Sequence, residues 1–208
     1  MKVSIYVEGG GDTTATQSRC RKGFSQFILK MLPDKDQPKI VACGGRTAAF
    51  DDFQQALSSR QADQAVLLLV DSEGPVDPSH RPWEHLKART GDGWDKPSEA
   101  GDRDAHLMVQ NMEAWFLADP SKLVEKYGKG FKLERLPSPT NGDIETIGKD
   151  KIKSGLKMAI RATKIKEYDK GTDSFEILAK LDPQLVCAAS EHARRLRKVL
   201  TELLPDRR

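Results

Sequence analysis

Ala65-Val66-Leu67-Leu68-Leu69-Val70 is the most apolar run in this 208-residue chain, and it stops on an acid, Asp71. An uninterrupted apolar run of strand length has no polar face to turn to water. It therefore predicts a central strand of a parallel sheet, covered on both sides. Two further strand signals precede it. Residues 3–7 are β-branched and aromatic and are bounded by Gly9-Gly10-Gly11, while residues 39–43 close on Gly44-Gly45. Helical patterns lie between. Phe24, Phe27, Ile28 and Met31 recur at i, i+3, i+4, i+7 in a segment that Thr13 or Thr14 can cap and Pro33 ends. Phe50, Phe53 and Leu57 repeat the spacing up to about Arg60. The order β-α-β-α-β implies a parallel sheet with right-handed helical crossovers.

Residues 72–104 are rich in Pro, Gly and charge, with one helix near 83–89, and read as a loop insertion at the C-terminal ends of the strands. Residues 105–109 predict a fourth strand, and 111–117 a helical turn stopped by Asp119-Pro120. Beyond Ser121 the strand signals vanish. Helices are predicted over 121–127, 149–163, 172–180 and 183–204, the last with Ala193, Leu196, Val199, Leu200 and Leu203 on one face. The expected fold class is α/β: a Rossmann-like, mostly parallel sheet flanked by helices, over residues 1–120. A helical, basic region over 121–208 packs on that core.

Several function classes fall away. No run approaches the about 18 apolar residues of a spanning helix, so no membrane role is expected. The N-terminus lacks the apolar stretch and cleavage site of a signal peptide, which points to the cytoplasm. Cys20, Cys43 and Cys187 are far apart and odd in number, so neither a disulfide framework nor a zinc knuckle fits. His80, His85, His106 and His192 form no metal-binding pair on a helix. Charge is unevenly placed: from Lys149 onward there are 15 Lys and Arg against 9 Asp and Glu, leaving 19 against 22 before it. An acidic front beside a basic back suits a cation site next to a surface for polyanions, although a solvated helical face gives the same numbers.

Two strands end in carboxylates, Val7-Glu8-Gly9 and Val70-Asp71-Ser72-Glu73. In an open α/β sheet ligands bind beyond the carboxyl ends of the strands, so Glu8, Asp71 and Glu73 are expected to converge on one edge. If the chain stays extended, the i, i+2 spacing keeps Asp71 and Glu73 on the same side. Hard oxygen donors without His or Cys suit Mg²⁺ or Mn²⁺ rather than zinc. Clustered carboxylates also repel and need a compensating cation. The alternative is that Asp71 and Glu73 only end the strand and start a turn. Asp12 either completes the shell or caps the first helix. Gly9-Gly10-Gly11 is followed by no Gly-Lys-Ser/Thr, so it is a tight turn and not a Walker A loop. Gly44-Gly45-Arg46-Thr47 offers free amides and Arg46 to a phosphate, or else a plain turn with Thr47 as N-cap.

These residues carry a resemblance. Val7-Glu8-Gly9-x-x-Asp12 followed by Leu69-Val70-Asp71-Ser72-Glu73 resembles the TOPRIM pattern, a strand-end Glu and then an acidic pair. Here Glu73 stands where that pattern has Asp. Glu8, Gly9 and Asp12 are also similar to the start of the OLD-family nuclease motif. Asn111-Met112-Glu113-Ala114-Trp115-Phe116-Leu117-Ala118-Asp119, Tyr168-x-Lys170 and the segment 190–196 resemble a TOPRIM-like bacterial family called domain of unknown function 4276. The resemblance covers most of the chain. It implies a TOPRIM-like sheet and Mg²⁺-dependent phosphodiester cleavage in bacterial defence or DNA repair. Asp71 and Glu73 would then hold the metal, and Glu8 would ligate it or serve as general base. It also implies nucleic acid as partner, DNA ahead of RNA, and an ABC- or AAA-type ATPase. The alternative from a different class is a non-catalytic subunit that keeps the shape and binds nucleic acid or an ATPase partner.

Glu113 has two readings. Either Met112, Trp115 and Phe116 face the core while Glu113 points to water, or Glu113 joins Glu8 and Asp71 at the strand-end edge and helps hold a metal. Among the basic residues, Lys149, Lys151, Lys153, Lys157, Arg161, Lys164 and Lys166 are opposed only by Asp150 and Glu167. Lys153, Lys157 and Arg161 fall at i, i+4, i+8, one stripe of a helix. With Arg46, Lys164 and Lys170 they are the candidate phosphate contacts.

Overall fold

The computed structural model describes residues 1–207. Strands β1 (Lys2–Val7), β2 (Lys39–Ala42), β3 (Gln64–Asp71) and β4 (Ala105–Met108) form one sheet in the order β2-β1-β3-β4, every neighbouring pair parallel. Helix α1 (Thr14–Met31) joins β1 to β2, and α2 (Arg46–Ser58) joins β2 to β3. The chain steps from β1 to one side, then returns past it to β3 on the other. Strand order therefore reverses between β1 and β3, the switch point at which open α/β sheets take ligands.

Burial follows from the β3 sequence. Leu67 and Leu69 face one layer of core, and Val66, Leu68 and Val70 face the other. The first layer holds α1 and the helices α5 (Lys149–Ile160), α6 (Asp173–Lys180), α7 (Pro183–Ala189) and α8 (Glu191–Leu203). The second holds α2 and α3 (Pro82–Ala88), the latter inside the 72–104 insertion. With helices on both faces, each buried β3 side chain contributes about 1.5–3 kcal/mol, and the continuous apolar run is explained. The helices after Ser121, beginning with α4 (Ser121–Tyr127), share one core with the sheet: Leu178, Val186, Leu196 and Leu200 lie in the same cluster as Val3, Ile5 and Val7. No helix among the described residues is long and apolar enough to cross a membrane.

Two expectations need correction. Residues 183–204 are two helices, because Ser190 leaves helical geometry at φ −136°, ψ 120° and its hydroxyl caps α8 by accepting from the Ala193 N–H at 3.0 Å. Glu145 reinforces the break by accepting from the Ser190 hydroxyl at 2.5 Å and from the His192 N–H at 2.9 Å. Helix α5 stops at Ile160, and the Thr163 N–H turns back to the Ile160 carbonyl at 2.8 Å. The Met112–Ala118 turn is a 3-10 helix whose Trp115 stacks on Phe27 of α1 at 5.2 Å between ring centres.

Candidate metal centre

The register of β1 on β3 pairs Val7 with Leu69, and the Glu8 N–H continues the ladder to the Leu69 carbonyl at 3.1 Å. Glu8 thus falls opposite Val70, with Asp71 one residue further along the adjacent strand. Glu8 Oε2 accepts from the Asp71 N–H at 3.2 Å, and Asp71 Oδ1 accepts from the Met112 N–H at 2.8 Å. Glu73 arrives by another route than the one expected. The chain does not stay extended past Asp71: Glu73 takes φ +62°, an uncommon left-handed geometry for a residue with a Cβ. Its N–H donates to the Gln110 carbonyl at 2.9 Å, and Ser72 Oγ accepts from the Gln110 N–H at 2.7 Å. A turn pinned by the segment after β4 brings the third carboxylate in. One oxygen from each of Glu8, Asp71 and Glu73 lies within 4.8 Å of the others.

A cavity of about 270 Å³ opens here, lined by Glu8, Asp71, Lys170 and the three glycines of the 9–11 turn. A larger hollow of about 740 Å³ near Lys2, Tyr6 and Lys39 brings no comparable set of ligating side chains together among the described residues. Gly44 lets the two loops meet. It has φ +80° and pairs with Gly9, and a Cβ on it would lie 2.8 Å from the Gly11 carbonyl oxygen.

The three acids are not equivalent. Burial, then the neighbouring charges of Glu8 and Glu113, pushes the Asp71 carboxyl well above its usual range. Burial also raises Glu8, with Arg46 pulling against it. For Glu73 burial is overridden by Lys149, whose Nζ donates to Oε2 at 2.5 Å and holds the carboxyl below its usual range. Two crowded carboxylates that resist ionisation, beside one kept ionised, form an all-oxygen donor set that a hard divalent cation would neutralise. That fits Mg²⁺ or Mn²⁺.

Other sequence-predicted residues fall in varied places. Asp12 is exposed and lies outside the converging set, and the helix cap is Thr13, whose Oγ1 accepts from the Thr16 N–H at 3.2 Å. Gly45, not Thr47, precedes α2 as its N-cap. Glu113 is also outside the set, yet it does not point to water: it is buried, Oε1 accepts from the Tyr168 hydroxyl at 2.9 Å, and Oε2 has no hydrogen-bond partner. Lys170 stands between the two groups, its Nζ 4.0 Å from both Asp71 Oδ2 and Glu113 Oε1. Burial works against its charge, but Glu113, Asp71, Glu8 and Glu73 outweigh it and raise its pKa. Lys170 is therefore a site cation and not one more member of the basic stripe. Lys153, Lys157, Arg161 and Lys164 are exposed and have no ion-pair partner within 4.0 Å among the described residues.

Arg46 is committed to protein partners. Nη1 donates to Glu8 Oε2 at 2.9 Å and to the Asp71 carbonyl, while Nε and Nη2 hold Asp92 at 2.8 and 2.6 Å. Its guanidinium lies 4.9 Å from the centre of the Trp94 ring. Sequence reasoning missed Asp92, Trp94 and the role of Lys149. Asp92 and Trp94 sit in a polar insertion with no periodicity to mark them, and Lys149 reads as one lysine among many.

The molecule is thus a Rossmann-like α/β protein with an acidic cluster at its switch point. The chain belongs to the family described as Domain of unknown function (DUF4276), whose model matches residues 7–201. No curated protein and no solved structure matches it.

Proposed function

We propose that this chain is a Mg²⁺- or Mn²⁺-dependent phosphodiesterase acting on nucleic acid, with Glu8, Asp71 and Glu73 as the metal-holding residues. The observation that carries the reading is the convergence of three carboxylates from two strand ends, with Lys170 across the cavity. The TOPRIM-like spacing of Glu8, Asp71 and Glu73 supports it, and so does the strand-end location. When bound, the ion would stabilise charge on a phosphate oxygen and make a water molecule more acidic.

The chain's own groups supply the rest. Asp71 and Glu73 present oxygens from the strand end and from the turn that follows it. Glu8, its carboxyl raised by burial, would ligate the ion or accept a proton as general base. The ammonium of Lys170 faces the cavity and attracts a phosphate anion. The exposed cations of α5 and the following loop extend the attraction outward, as a phosphate backbone requires. Bacterial defence or DNA repair, and an ATPase partner, follow from the TOPRIM and OLD resemblance alone.

Incubating the protein with plasmid, linear and single-stranded DNA and with RNA, across Mg²⁺, Mn²⁺ and EDTA, tests the reading. Metal-dependent cleavage lost in Asp71→Asn supports it. Metal binding without cleavage of any substrate returns the chain to a non-catalytic binding subunit.

A further inference from the structure

The 72–104 insertion does more than cover one face of the sheet. It delivers Asp92, whose side chain is only 2% exposed, to the guanidinium of Arg46. Asp92 takes the Nε and Nη2 side of the fork, and Arg89 Nη1 donates to the same carboxylate at 2.7 Å. The remaining side of the Arg46 fork reaches Glu8 Oε2 and the Asp71 backbone carbonyl, tying β1 to β3 across the switch point. Trp94, from the same insertion, stacks on Phe50 at 4.3 Å and closes over the guanidinium.

We infer that Asp92 is a positioning residue for the metal centre, acting through Arg46 on Glu8. This rests on the metal-binding reading above. Both hydrogen bonds that Glu8 accepts go to Oε2, from Arg46 and from the Asp71 N–H, so Oε1 is the oxygen left for a cation. A buried guanidinium beside a cation site is useful only while its charge and its fork are held elsewhere. Asp92 does both: a bidentate carboxylate fixes the plane of the fork and, shared with Arg89, offsets part of its charge. Without Asp92 the guanidinium has Glu8 as its remaining anionic partner and competes with the cation for it. Outer residues of this kind change metal affinity without touching the metal.

Four full-length proteins decide the matter: wild type, Asp92→Asn, Arg46→Met/Asp92→Asn and Glu8→Gln. Mn²⁺ affinity is measured by calorimetry and apo stability by thermal melting. Asp92→Asn is expected to weaken Mn²⁺ binding by about 10- to 100-fold. The double variant should recover to within about tenfold of wild type, since the competitor for Glu8 is gone. Glu8→Gln should lose binding, which locates the measured site. Unchanged Mn²⁺ affinity in a folded Asp92→Asn overturns the inference and leaves an ordinary staple for the insertion, visible only as a lower melting temperature. If Asp92→Asn does not fold, a fifth protein, Asp92→Glu, takes its place: weaker Mn²⁺ binding in the folded variant supports the inference, and binding equal to wild type overturns it. Wild type that binds no Mn²⁺ removes the metal reading itself, a result distinct from a wild type that binds and an Asp92→Asn that binds equally.

Discussion

The Tyr168 hydroxyl donates to Glu113 Oε1 at 2.9 Å, and that bond joins two sequence blocks 55 residues apart at the edge of the carboxylate cluster. Glu113 is buried with one oxygen unpartnered, and Lys170 Nζ lies 4.0 Å from the other. Glu113 therefore faces Lys170 at the edge of the cavity and is not one of the three converging carboxylates. Glu113→Gln should leave Mn²⁺ stoichiometry as in wild type. Cleavage should slow by about ten- to a hundredfold through misplacement of the ammonium. Calorimetry beside single-turnover cleavage checks both halves.

Asp71 gives a pH dependence of definite sign. Its folded pKa is raised above the unfolded value, so between those two pH values the folded state binds more protons than the unfolded one. Without metal, this group makes stability fall as pH rises through that window. Asp71→Asn keeps the acceptor for the Met112 N–H while removing the charge, so the apo variant should melt higher. At this chain length each kcal/mol relieved corresponds to about 2–4 °C. Mn²⁺ should bind more tightly with rising pH and release protons on binding to wild type. Melting curves and proton release in weak buffer read these out.

His106 tilts stability the other way. Burial, and then Arg195, lower its pKa to about 3, and Arg195 Nη1 lies 3.1 Å from its Nδ1. Its unfolded value is about 6.5. As pH falls below that value the unfolded chain takes a proton that the folded chain refuses, so stability is lost down to about pH 3. His106→Gln should flatten this acid-side loss, whereas Asp71→Asn should deepen it by removing the opposing slope. Urea unfolding of both variants from pH 4 to 7 separates the two groups.

Strand ends were the legible part of the site. A β-branched run that stops on Glu8 and an apolar run that stops on Asp71 fix both the sheet and the edge where acids collect, because strand burial is a local property. The partners that tune those acids were not legible. Lys149 reaches Glu73 across 76 positions and Arg46 reaches Asp92 across 46, and nothing in the chain near a lysine or an aspartate records such a contact. Only the Tyr168-x-Lys170 resemblance sets Lys170 apart from Lys164 and Lys166 in sequence, and only the fold of the 161–172 loop turns it toward Asp71. The break at Ser190 was hidden for a similar reason. Apolar residues recur at helical spacing on both sides, and the capping bonds to Ala193 and Glu145 decide it.

The α5 surface supplies the last prediction. Lys153, Lys157 and Arg161 are exposed and unpaired among the described residues, while Lys149 at the start of the same helix is bound to Glu73. The buried face of α5, with Ile152, Leu156, Ala159 and Ile160, points away from these cations, so charge reversal there leaves packing intact. The Lys153→Glu/Lys157→Glu/Arg161→Glu protein should melt within a few degrees of wild type. If the stripe contacts a phosphate backbone, affinity for duplex DNA should collapse, and log affinity against log salt should lose about 0.9 of slope for each contact removed. Fluorescence anisotropy across salt concentrations measures it. A slope and affinity equal to wild type would make the stripe an ordinary solvated face.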